Sequence, residues 1–549
     1  MIEKMKKTSA LCLITALLTL VYIPADAQKT PAKPQESKNF KLGQWIETQN
    51  SILGELYRSY VDTLDLKRYF TAGITSALES LDPYTVYVPE EENEDFEMLI
   101  SKTYGGIGAI ISKKVGEYLI IDEPYYNSPA QRAGLQSGDR IIEVDGVDVK
   151  PFTSEETTSR MKGKPGTKVE FKIKKVHTGE IKNVVITREK IHLPDVSCYT
   201  VLDNKTGYIS QTGFTTGVSG DVREAFLDLK KKGIERLILD LRGNGGGLLN
   251  EAVDIVSLFV PKGSLIVTSK GRDAENTKEY RTHREPVDTE IPIMVLIDGG
   301  SASASEIVAG SLQDLDRATI AGTKSYGKGL VQSIRSLPYG AQLKVTTAHY
   351  YTPSGRCVQR LDYSSGATHA KDFADSLKQE FKTVGGRTVT SAGGITPDIV
   401  LEAEKYSRAS YILVYAGVTS RYALNYVSSH PEIRPVENFH LTEQEWNEFA
   451  DYAIEQDFDY RPESLVAFEA LKKEIKEDGY DEVTASQVEA LEKALNVSKR
   501  QMVEIVKNEI IPIIESEIIK RSYSQSLASI HLLGVDVQLH NALKADWIF

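Results

Sequence analysis

The chain has 549 residues, a formal net charge of −12 and 26% charged residues. A chain of this length is too long for one hydrophobic core, and we expect roughly three or four domains. Its acidic balance argues against nucleic acid as a partner, because phosphate binding requires clustered Lys and Arg side chains.

Residues 1–27 predict a secretory signal peptide. Three lysines precede an uncharged apolar stretch at residues 10–23, and Ala25-Asp26-Ala27 forms a small-residue cleavage site. The apolar stretch is too short for a comfortable membrane span, although an uncleaved anchor is the competing interpretation. We therefore expect a protein secreted across the inner membrane into the periplasm. Residues 28–39, rich in Lys, Pro, Gln and Ser, predict a flexible linker.

The next two blocks differ in the period of their apolar residues. Residues 40–100 have helical spacing and predict an N-terminal helical region, whereas residues 101–187 have a strand-like pattern. The second block contains Tyr-Gly-Gly-Ile-Gly at 104–108 and Ser-Pro-Ala-Gln-Arg-Ala-Gly-Leu-Gln-Ser-Gly-Asp at 128–139, and these strings resemble a PDZ domain. The resemblance implies a glycine-rich loop whose backbone N–H groups bind the terminal carboxylate of a peptide. The candidate peptide-binding residues are Gly105, Gly106, Ile107 and Gly108. In the alternative interpretation these glycines only form a tight hairpin.

Residues 188–402 alternate between strands and helices and predict an α/β core with a parallel or mixed sheet. An apolar strand at 234–241 leads into Arg-Gly-Asn-Gly-Gly-Gly, and a second at 292–298 leads into Gly-Gly-Ser-Ala-Ser-Ala-Ser-Glu-Ile. Loops beyond the strand ends are where such sheets place their chemistry. Residues 403–549 predict a C-terminal domain of charged amphipathic helices, and its expected role is packing, assembly or gating.

Ser303 is the candidate nucleophile and Lys328 its candidate general base. A serine hydroxyl at neutral pH needs a proton acceptor within hydrogen-bond reach. A buried lysine can be that acceptor, because burial lowers its pKa toward neutrality. Gln332 lies four residues further on, and its amide oxygen is expected to accept a hydrogen bond from the lysine amine. In the plain alternative, Ser301 or Ser303 only caps a helix and Lys328 is a solvated surface lysine.

The glycine-rich loop offers backbone N–H groups for an oxyanion hole, with Gly246 or Gly247 and Ala304 as candidates. A phosphate-binding loop is disfavoured because no Gly-x-x-x-x-Gly-Lys-Ser/Thr string occurs. A Ser-His-Asp triad, for which His349 is a candidate near the same predicted sheet, is disfavoured because no Gly-x-Ser-x-Gly elbow occurs. The histidines and cysteines are scattered, so no metal and no cofactor is predicted.

These motifs, in this order, resemble the carboxyl-terminal processing peptidases, a serine peptidase family with a Ser/Lys/Gln catalytic group. The resemblance covers residues 40–402 and rests on Asp-Leu-Arg-x-Asn-x-Gly-Gly, Ser-Ala-Ser-Ala-Ser-Glu-Ile, Gly-Lys-Gly-x-Val-Gln and Tyr-Tyr-Thr-Pro-Ser-Gly-Arg. It implies a core related to the crotonase and Clp peptidase folds with an inserted PDZ domain. By position, it gives Ser303, Lys328 and Gln332 the catalytic roles. Gly245 stands where the family often has proline.

The prediction is an exported serine endopeptidase that binds exposed, apolar C-termini of proteins or peptides. The alternative is a catalytically inactive PDZ scaffold that delivers substrates to another protease. A regulatory or adaptor protein and a homo-oligomer are left open as partners. It is also open whether Cys198 and Cys357, the two cysteines beyond the signal peptide, form a disulfide.

Overall fold

The structure, a computed structural model, describes residues 38–548 apart from residues 115, 459 and 461. The predicted signal peptide and most of the predicted linker lie outside the described residues. No helix in the described part of the chain is both long and apolar enough to span a bilayer.

The chain divides into two compact units, one ending at Ser76 and one beginning at Ala77. The first unit contains helix α1 (Lys38–Ser59) and most of helix α2 (Leu66–Glu79). In the second unit, strand β1 (Val86–Val88) and helix α3 (Asn93–Ser101) follow. The predicted N-terminal helical region thus contains three helices and one short strand.

A small antiparallel sheet with its own hydrophobic core comes next. The strand order is β3-β4-β5-β7-β8 with β6 paired to β5, and β2 pairs with β9 in a separate two-stranded sheet. Ile121, Ile141 and Phe171 are fully buried at the centre of its core. The elements are β2 (Thr103–Gly106), β3 (Ala109–Ser112), β4 (Leu119–Pro124), α4 (Pro129–Arg132), β5 (Arg140–Val144), β6 (Val147–Asp148), α5 (Ser154–Met161), β7 (Lys168–Lys174), β8 (Ile181–Thr187) and β9 (Glu189–His192).

The sheet of the predicted α/β core has six strands in the order β10-β11-β12-β15-β16-β23. Its pairs are parallel except for β10 with β11. A second sheet, in the order β1-β18-β13-β14 with β17 on β18, is antiparallel. The elements up to the serine motif are β10 (Val196–Leu202), β11 (Thr206–Gln211), α6 (Val218–Lys231), β12 (Arg236–Asp240), α7 (Leu249–Val256), β13 (Leu265–Gly271), β14 (Thr277–Arg281) and β15 (Ile293–Ile297).

After the serine motif the chain completes both sheets and then forms the C-terminal helices. The sheet-region elements are α8 (Ala304–Asp314), β16 (Thr319–Gly322), β17 (Leu330–Ser336), β18 (Gln342–Tyr351), β19 (Leu361–Asp362), β20 (Lys371–Asp372), β21 (Glu380–Lys382), β22 (Thr388–Thr390) and β23 (Ile399–Val400). The C-terminal helices are α9 (Arg408–Tyr415), α10 (Val418–Ser429), α11 (Glu443–Glu455), α12 (Glu463–Glu477), α13 (Asp481–Leu495), α14 (Lys499–Ile505), α15 (Lys507–Ser522), α16 (Gln525–Leu533) and α17 (Val537–Lys544).

Both faces of the sheet that runs from β10 to β23, here called the peptidase sheet, are covered. On one face, Leu239 and Val295 pack in a core that includes residues of α6, α7 and α8. On the other, Ile238 and Met294 pack with Leu539 of α17. Strands buried on both faces have continuous apolar sequences. The last helix therefore packs on the sheet core, although the sequence placed it in a separate C-terminal domain.

Candidate active site

The turn between β15 and α8 carries Ser303. This residue directly precedes the helix, and its backbone has φ 56° and ψ −111°. A positive φ is uncommon for a residue other than glycine. Strained backbone at a sharp strand-to-helix turn is the arrangement that exposes a nucleophilic serine. Ser303 is also the N-cap residue of α8, and its N–H donates to Glu306 at N3 as in a capping box; the strained backbone is compatible with a nucleophilic role as well.

Asn244 connects the glycine-rich loop to the serine turn. Its buried carbonyl accepts hydrogen bonds from the Ala302 N–H at 3.0 Å and from Ser305 Oγ at 2.8 Å. Its side chain donates to the Gln211 carbonyl at 2.8 Å and accepts from the Gly246 N–H at 2.9 Å. The two loops follow the adjacent parallel strands β12 and β15. They are therefore held together at the carboxyl edge of the sheet.

The predicted oxyanion donors lie around Ser303. Ala304 is the first residue of α8, so its N–H has no acceptor within the helix. The Gly246 N–H is occupied by Asn244, whereas the Gly247 N–H donates to no acceptor among the described residues. A Cβ at Gly246, whose φ is 96°, would lie 2.9 Å from the Ala304 nitrogen. Gly247 and Ala304 are thus the available pair, and Gly246 permits the close approach.

Glu306 links the nucleophile loop to the lysine loop. Its Oε2 accepts from the backbone N–H of Ser303 at 2.9 Å and of Lys328 at 2.8 Å. Its Oε1 accepts from Ser325 Oγ at 2.6 Å and from the Gly327 N–H at 2.8 Å. The side chain is fully buried, and this burial raises the pKa of Glu306 although the hydrogen bonds oppose the shift. One carboxyl group therefore sets the spacing of both candidate catalytic backbones.

Lys328 lies in the turn before β17 and has an environment suited to a base. Burial, and to a smaller extent the positive charge of Lys344, lower the pKa of Lys328 to about 8. The carboxylates of Asp82 and Glu306 act in the opposite direction. A lysine with this pKa has an appreciable neutral fraction near pH 7, which a solvated lysine lacks.

The lysine amine does not form a hydrogen bond with the serine hydroxyl in this conformation. Lys328 Nζ lies 4.0 Å from the ring centroid of Tyr84, and no hydrogen bond between described residues joins it to Ser303. Gln332 Nε2 donates to Thr346 Oγ1 at 3.2 Å. The hydrogen bond predicted between Gln332 and Lys328 is therefore absent here, because the amide faces β18 instead.

A single cavity of about 430 Å³ unites the predicted residues. Ser303, Lys328 and Gln332 line it, together with Gly246 and Gly247. Much of the remaining wall is apolar and comes from α3, α8 and β17, through Phe96, Leu99, Ile100, Ile307, Val331 and Ile334. An apolar pocket with a few convergent polar groups is suited to a peptide segment.

Two weaker candidates lie elsewhere. His349 is on β18 and is not among the residues that line this cavity. Lys324 is exposed and lines a different cavity with Arg360 and Asp372. Cys198 and Cys357 are both free thiols, so they do not form the disulfide that the sequence left open.

The PDZ-like loop has structural reasons for its glycines. Gly105 and Gly106 lie in β2, and a Cβ at Gly105 would come 2.1 Å from the Gly163 carbonyl oxygen. Gly108 has φ 74°, and its Cβ would lie 2.7 Å from Ser128 Cβ. Ile107 is buried between these glycines. The loop leads directly into β3, an edge strand of its sheet, and an edge strand can pair with an added peptide.

Sequence reasoning missed three residues that shape the site: Tyr84, Glu306 and Lys344. Glu306 is part of the quoted Ser-Glu-Ile motif, and its position three residues after Ser303 was the available signal. Tyr84 follows a proline in the loop before β1, and Lys344 is on β18. Neither has a sequence signal, because both reach the site only through folding.

Three family models match the chain. Peptidase family S41 matches residues 205–364, the PDZ domain matches residues 97–174, and "Probable PDZ-protease, C-terminal helical domain" matches residues 409–545.

Similar proteins were found among curated sequences and solved structures. A probable CtpA-like serine protease of Staphylococcus aureus (strain COL) is 32% identical over 403 residues, which cover 73% of this chain and 72% of the relative. The chain belongs to peptidase family S41. A carboxy-terminal-processing protease of Bartonella bacilliformis is 34% identical over 330 residues, or 59% of this chain and 75% of that protein. The solved photosystem II D1 C-terminal processing protease is 25% identical, covers 67% of this chain and 89% of its own, and has a TM-score of 0.36.

The family membership confirms the predicted class of enzyme and fold. This S41 protein is a serine-type peptidase of the carboxy-terminal-processing group. It combines the S41 fold with an inserted PDZ domain and a C-terminal helical domain.

Proposed function

We propose that this S41 peptidase cleaves peptide bonds with Ser303 as the nucleophile and Lys328 as the general base. The observation that carries the proposal is one cavity containing a serine on strained backbone and a lysine whose pKa is lowered to about 8. Neutral Lys328 Nζ takes the Ser303 Oγ proton as Oγ bonds to the substrate carbonyl carbon. The resulting ammonium returns that proton to the leaving amine as the peptide bond breaks. Water then hydrolyses the acyl-enzyme by the same route and regenerates the serine.

The tetrahedral intermediate places a negative oxygen beside the serine turn. The N–H groups of Gly247 and Ala304 are the proposed donors, because neither is committed to another acceptor in the described structure. Both lie on rigidly connected backbone, since Asn244 ties the two loops together. Such donors need no reorganisation when the charge develops.

Activation requires the Lys328 side chain to leave the Tyr84 ring. Its backbone is fixed by Glu306, but the four-carbon stem can rotate toward Ser303. Gln332 then exchanges its bond to Thr346 for one to the lysine amine and holds the lone pair toward Oγ. Substrate entering the cavity expels water and favours the neutral amine. The described conformation is thus a resting one.

The PDZ domain is proposed to select the substrates, and export is proposed to determine which proteins the enzyme meets. The domain is proposed to bind apolar C-termini, with the peptide paired along β3 and its carboxylate at Gly105 to Gly108.

The proposed location is the periplasm, reached through the signal peptide of residues 1–27. N-terminal sequencing of the protein recovered from the periplasm is expected to begin at Gln28; a start at Met1 would contradict export with cleavage.

The dyad is tested by digesting a denatured protein and identifying the products by mass spectrometry. Ser303→Ala and Lys328→Ala are each expected to lower kcat by about 10⁴-fold or more. Lys324→Ala is the matched control, because this nearby lysine is exposed and lines another cavity. Circular dichroism checks that each variant is folded. Full activity in a folded Lys328→Ala protein would overturn the assignment of the base.

The same digest addresses the inactive-scaffold alternative. A scaffold would bind C-terminal tails without releasing any new fragment. The convergence of Ser303, Lys328 and Gln332 in one cavity supports turnover instead. A regulatory or adaptor partner and a homo-oligomer stay predictions from the sequence.

A further inference from the structure

Three side chains of metal-ligating type meet among the C-terminal helices, outside the peptidase cavity. His440 precedes α11, Glu515 is on α15 and His531 is on α16. His531 Nε2 lies 2.8 Å from Glu515 Oε2, and His440 Nδ1 lies 3.6 Å from the same oxygen. One ligand atom from each residue falls within 4.8 Å of the other two. The two histidines are far apart in sequence, so only the fold brings them together.

The carboxylate at the centre of this cluster is buried. Glu515 is 3% exposed, and a buried carboxylate is stable only when it is paired or bound to a cation. Its Oε1 accepts the Leu441 N–H at 2.7 Å, which leaves Oε2 facing the two imidazoles. The His531 side chain is 11% exposed, whereas that of His440 is 74% exposed. One side of the cluster is thus fixed in the interior and the other is open to solvent.

We propose that His440, Glu515 and His531 form a binding site for a divalent transition metal, with Zn²⁺ the expected ion. Two imidazoles and one carboxylate are a ligand set that zinc uses with a fourth position open to water. Bonds of about 2.1 Å in a tetrahedron place neighbouring ligand atoms about 3.4 Å apart. The distances from Glu515 Oε2 to His531 Nε2, 2.8 Å, and to His440 Nδ1, 3.6 Å, lie on either side of that spacing. Small side-chain movements therefore complete the geometry. Ca²⁺ and Mg²⁺ are disfavoured because they prefer oxygen ligands throughout.

The surroundings have the parts that such a site needs. The Leu441 N–H holds the carboxylate from behind, as groups around a metal hold its ligands. The exposed His440 gives the ion a path from solvent, and it can swing onto the metal last. A bound ion would join the segment before α11 to α15 and α16, which meet at the core of the helical domain. Occupancy is therefore expected to stabilise this domain.

The experiment titrates Zn²⁺ into the full chain, free of a histidine tag and treated with a chelator, and measures heat by calorimetry. Wild type is expected to bind about one ion per chain and to show a higher thermal midpoint with Zn²⁺. His440→Ala should weaken binding by at least about tenfold and abolish the shift of the midpoint. His283→Ala is the control, because that exposed histidine is outside the cluster and should bind zinc as wild type does.

Two outcomes would overturn the metal site: no heat above buffer in wild type, or equal zinc affinity in wild type and His440→Ala. Either result would leave a simple hydrogen bond between His531 and Glu515. His440 is exposed, so its variant is expected to fold; Glu515→Gln tests the buried ligand, with Co²⁺ absorption as a second measurement of inner-sphere binding. None of these measurements uses hydrolysis, and the result is therefore independent of the proposed peptidase mechanism.

Discussion

At the scale of single residues, the proposed catalysis depends on the protonation of Lys328. Burial and Lys344 lower the pKa of Lys328 to about 8. Only the neutral amine can accept the serine proton, and with this pKa roughly one tenth of the Lys328 side chains in the free enzyme are neutral at pH 7. We expect kcat/KM to rise with pH through about 8 and then level off. A profile flat from pH 6 to about 9 would contradict a lysine base.

Lys344 offers a direct test of this electrostatic coupling. Lys344→Met removes a positive charge near Lys328 and is expected to raise the pKa of Lys328. The rise of kcat/KM with pH should then move to higher pH. At pH 7 the loss should stay below about tenfold, because a tenfold loss requires a shift of about one pKa unit. The measurement is a pH profile of kcat/KM beside that of wild type. If the profile of Lys344→Met moved to lower pH, the proposed repulsion between Lys344 and Lys328 would be disproved.

Glu306 is proposed as a positioning residue. Its variant Glu306→Gln is expected to move the pH profile of kcat/KM in the direction opposite to that of Lys344→Met. Glu306→Gln keeps the shape but places an amide NH₂ against backbone N–H donors, which costs about 1–3 kcal/mol of stability. It also removes a negative charge that raises the pKa of Lys328, so the pH profile should move to lower pH. We expect a lower kcat with little change in KM.

Asp314→Asn is the matched control for Glu306→Gln. Asp314 is also buried on α8, but it pairs with Arg356 at 2.8 Å and does not line the cavity. This variant should lose stability in denaturant unfolding without any displacement of the pH profile. If the two variants had the same pH profile of kcat/KM, the role of Glu306 would be purely structural.

At the scale of elements, the glycine-rich loop must approach the start of α8 closely. Gly246→Ala would place a Cβ 2.6 Å from the Ala302 carbonyl oxygen, at a φ of 96°. The loop would have to move away from the serine turn, and we expect kcat to fall by about 10²-fold or more. Gly245→Ala is the control, because nothing lies within 4 Å of its Cβ. Steady-state kinetics measure kcat of both variants. A comparable loss of kcat in both would contradict the explanation that the close approach at Gly246 is what matters.

The strands that carry the site could be predicted well from sequence. The apolar segments at 234–241 and 292–298 contain β12 and β15, because fully buried parallel strands need continuous apolar runs. Side-chain orientation was less predictable. Gln332 was placed beside Lys328 by its spacing of four residues, yet its amide donates to Thr346. The competing partner is on β18, and pairing between β17 and β18 leaves no trace in local spacing.

At the scale of the whole molecule, the PDZ domain is proposed to select substrates by their C-termini. We expect the Ser303→Ala chain to bind a peptide with an apolar C-terminus and a free carboxylate. The amidated peptide should bind at least about tenfold more weakly, because charge-assisted hydrogen bonds to backbone N–H groups are lost. Fluorescence anisotropy measures both affinities, with the same sequence placed internally in a longer peptide as the control. Equal binding of acid and amide would contradict recognition of the carboxylate.

The C-terminal region connects parts of the molecule that the sequence presented as separate. Arg242, next to the glycine-rich loop, pairs with Asp240 at 2.5 Å and with Asp536 at 2.6 Å. Gln538 donates to the Leu401 carbonyl at 2.6 Å. On the PDZ side, the Gln525 N–H donates to Glu123 at 3.0 Å. The helical domain thus contacts both the peptidase sheet and the PDZ domain, which gives a physical basis for the predicted packing role.

The enzyme family, the PDZ domain and the candidate dyad could be predicted from motifs, and the α/β core from the apolar period of its strands, because these depend on residue order and local pattern. Folding was needed to show that Glu306 binds the backbone of both candidate catalytic loops, that Lys344 and Tyr84 influence or contact Lys328, and that α17 covers the sheet. It also brought His440, Glu515 and His531 together. Burial and distance between segments remote in sequence set these features, and neither quantity exists until the chain has folded.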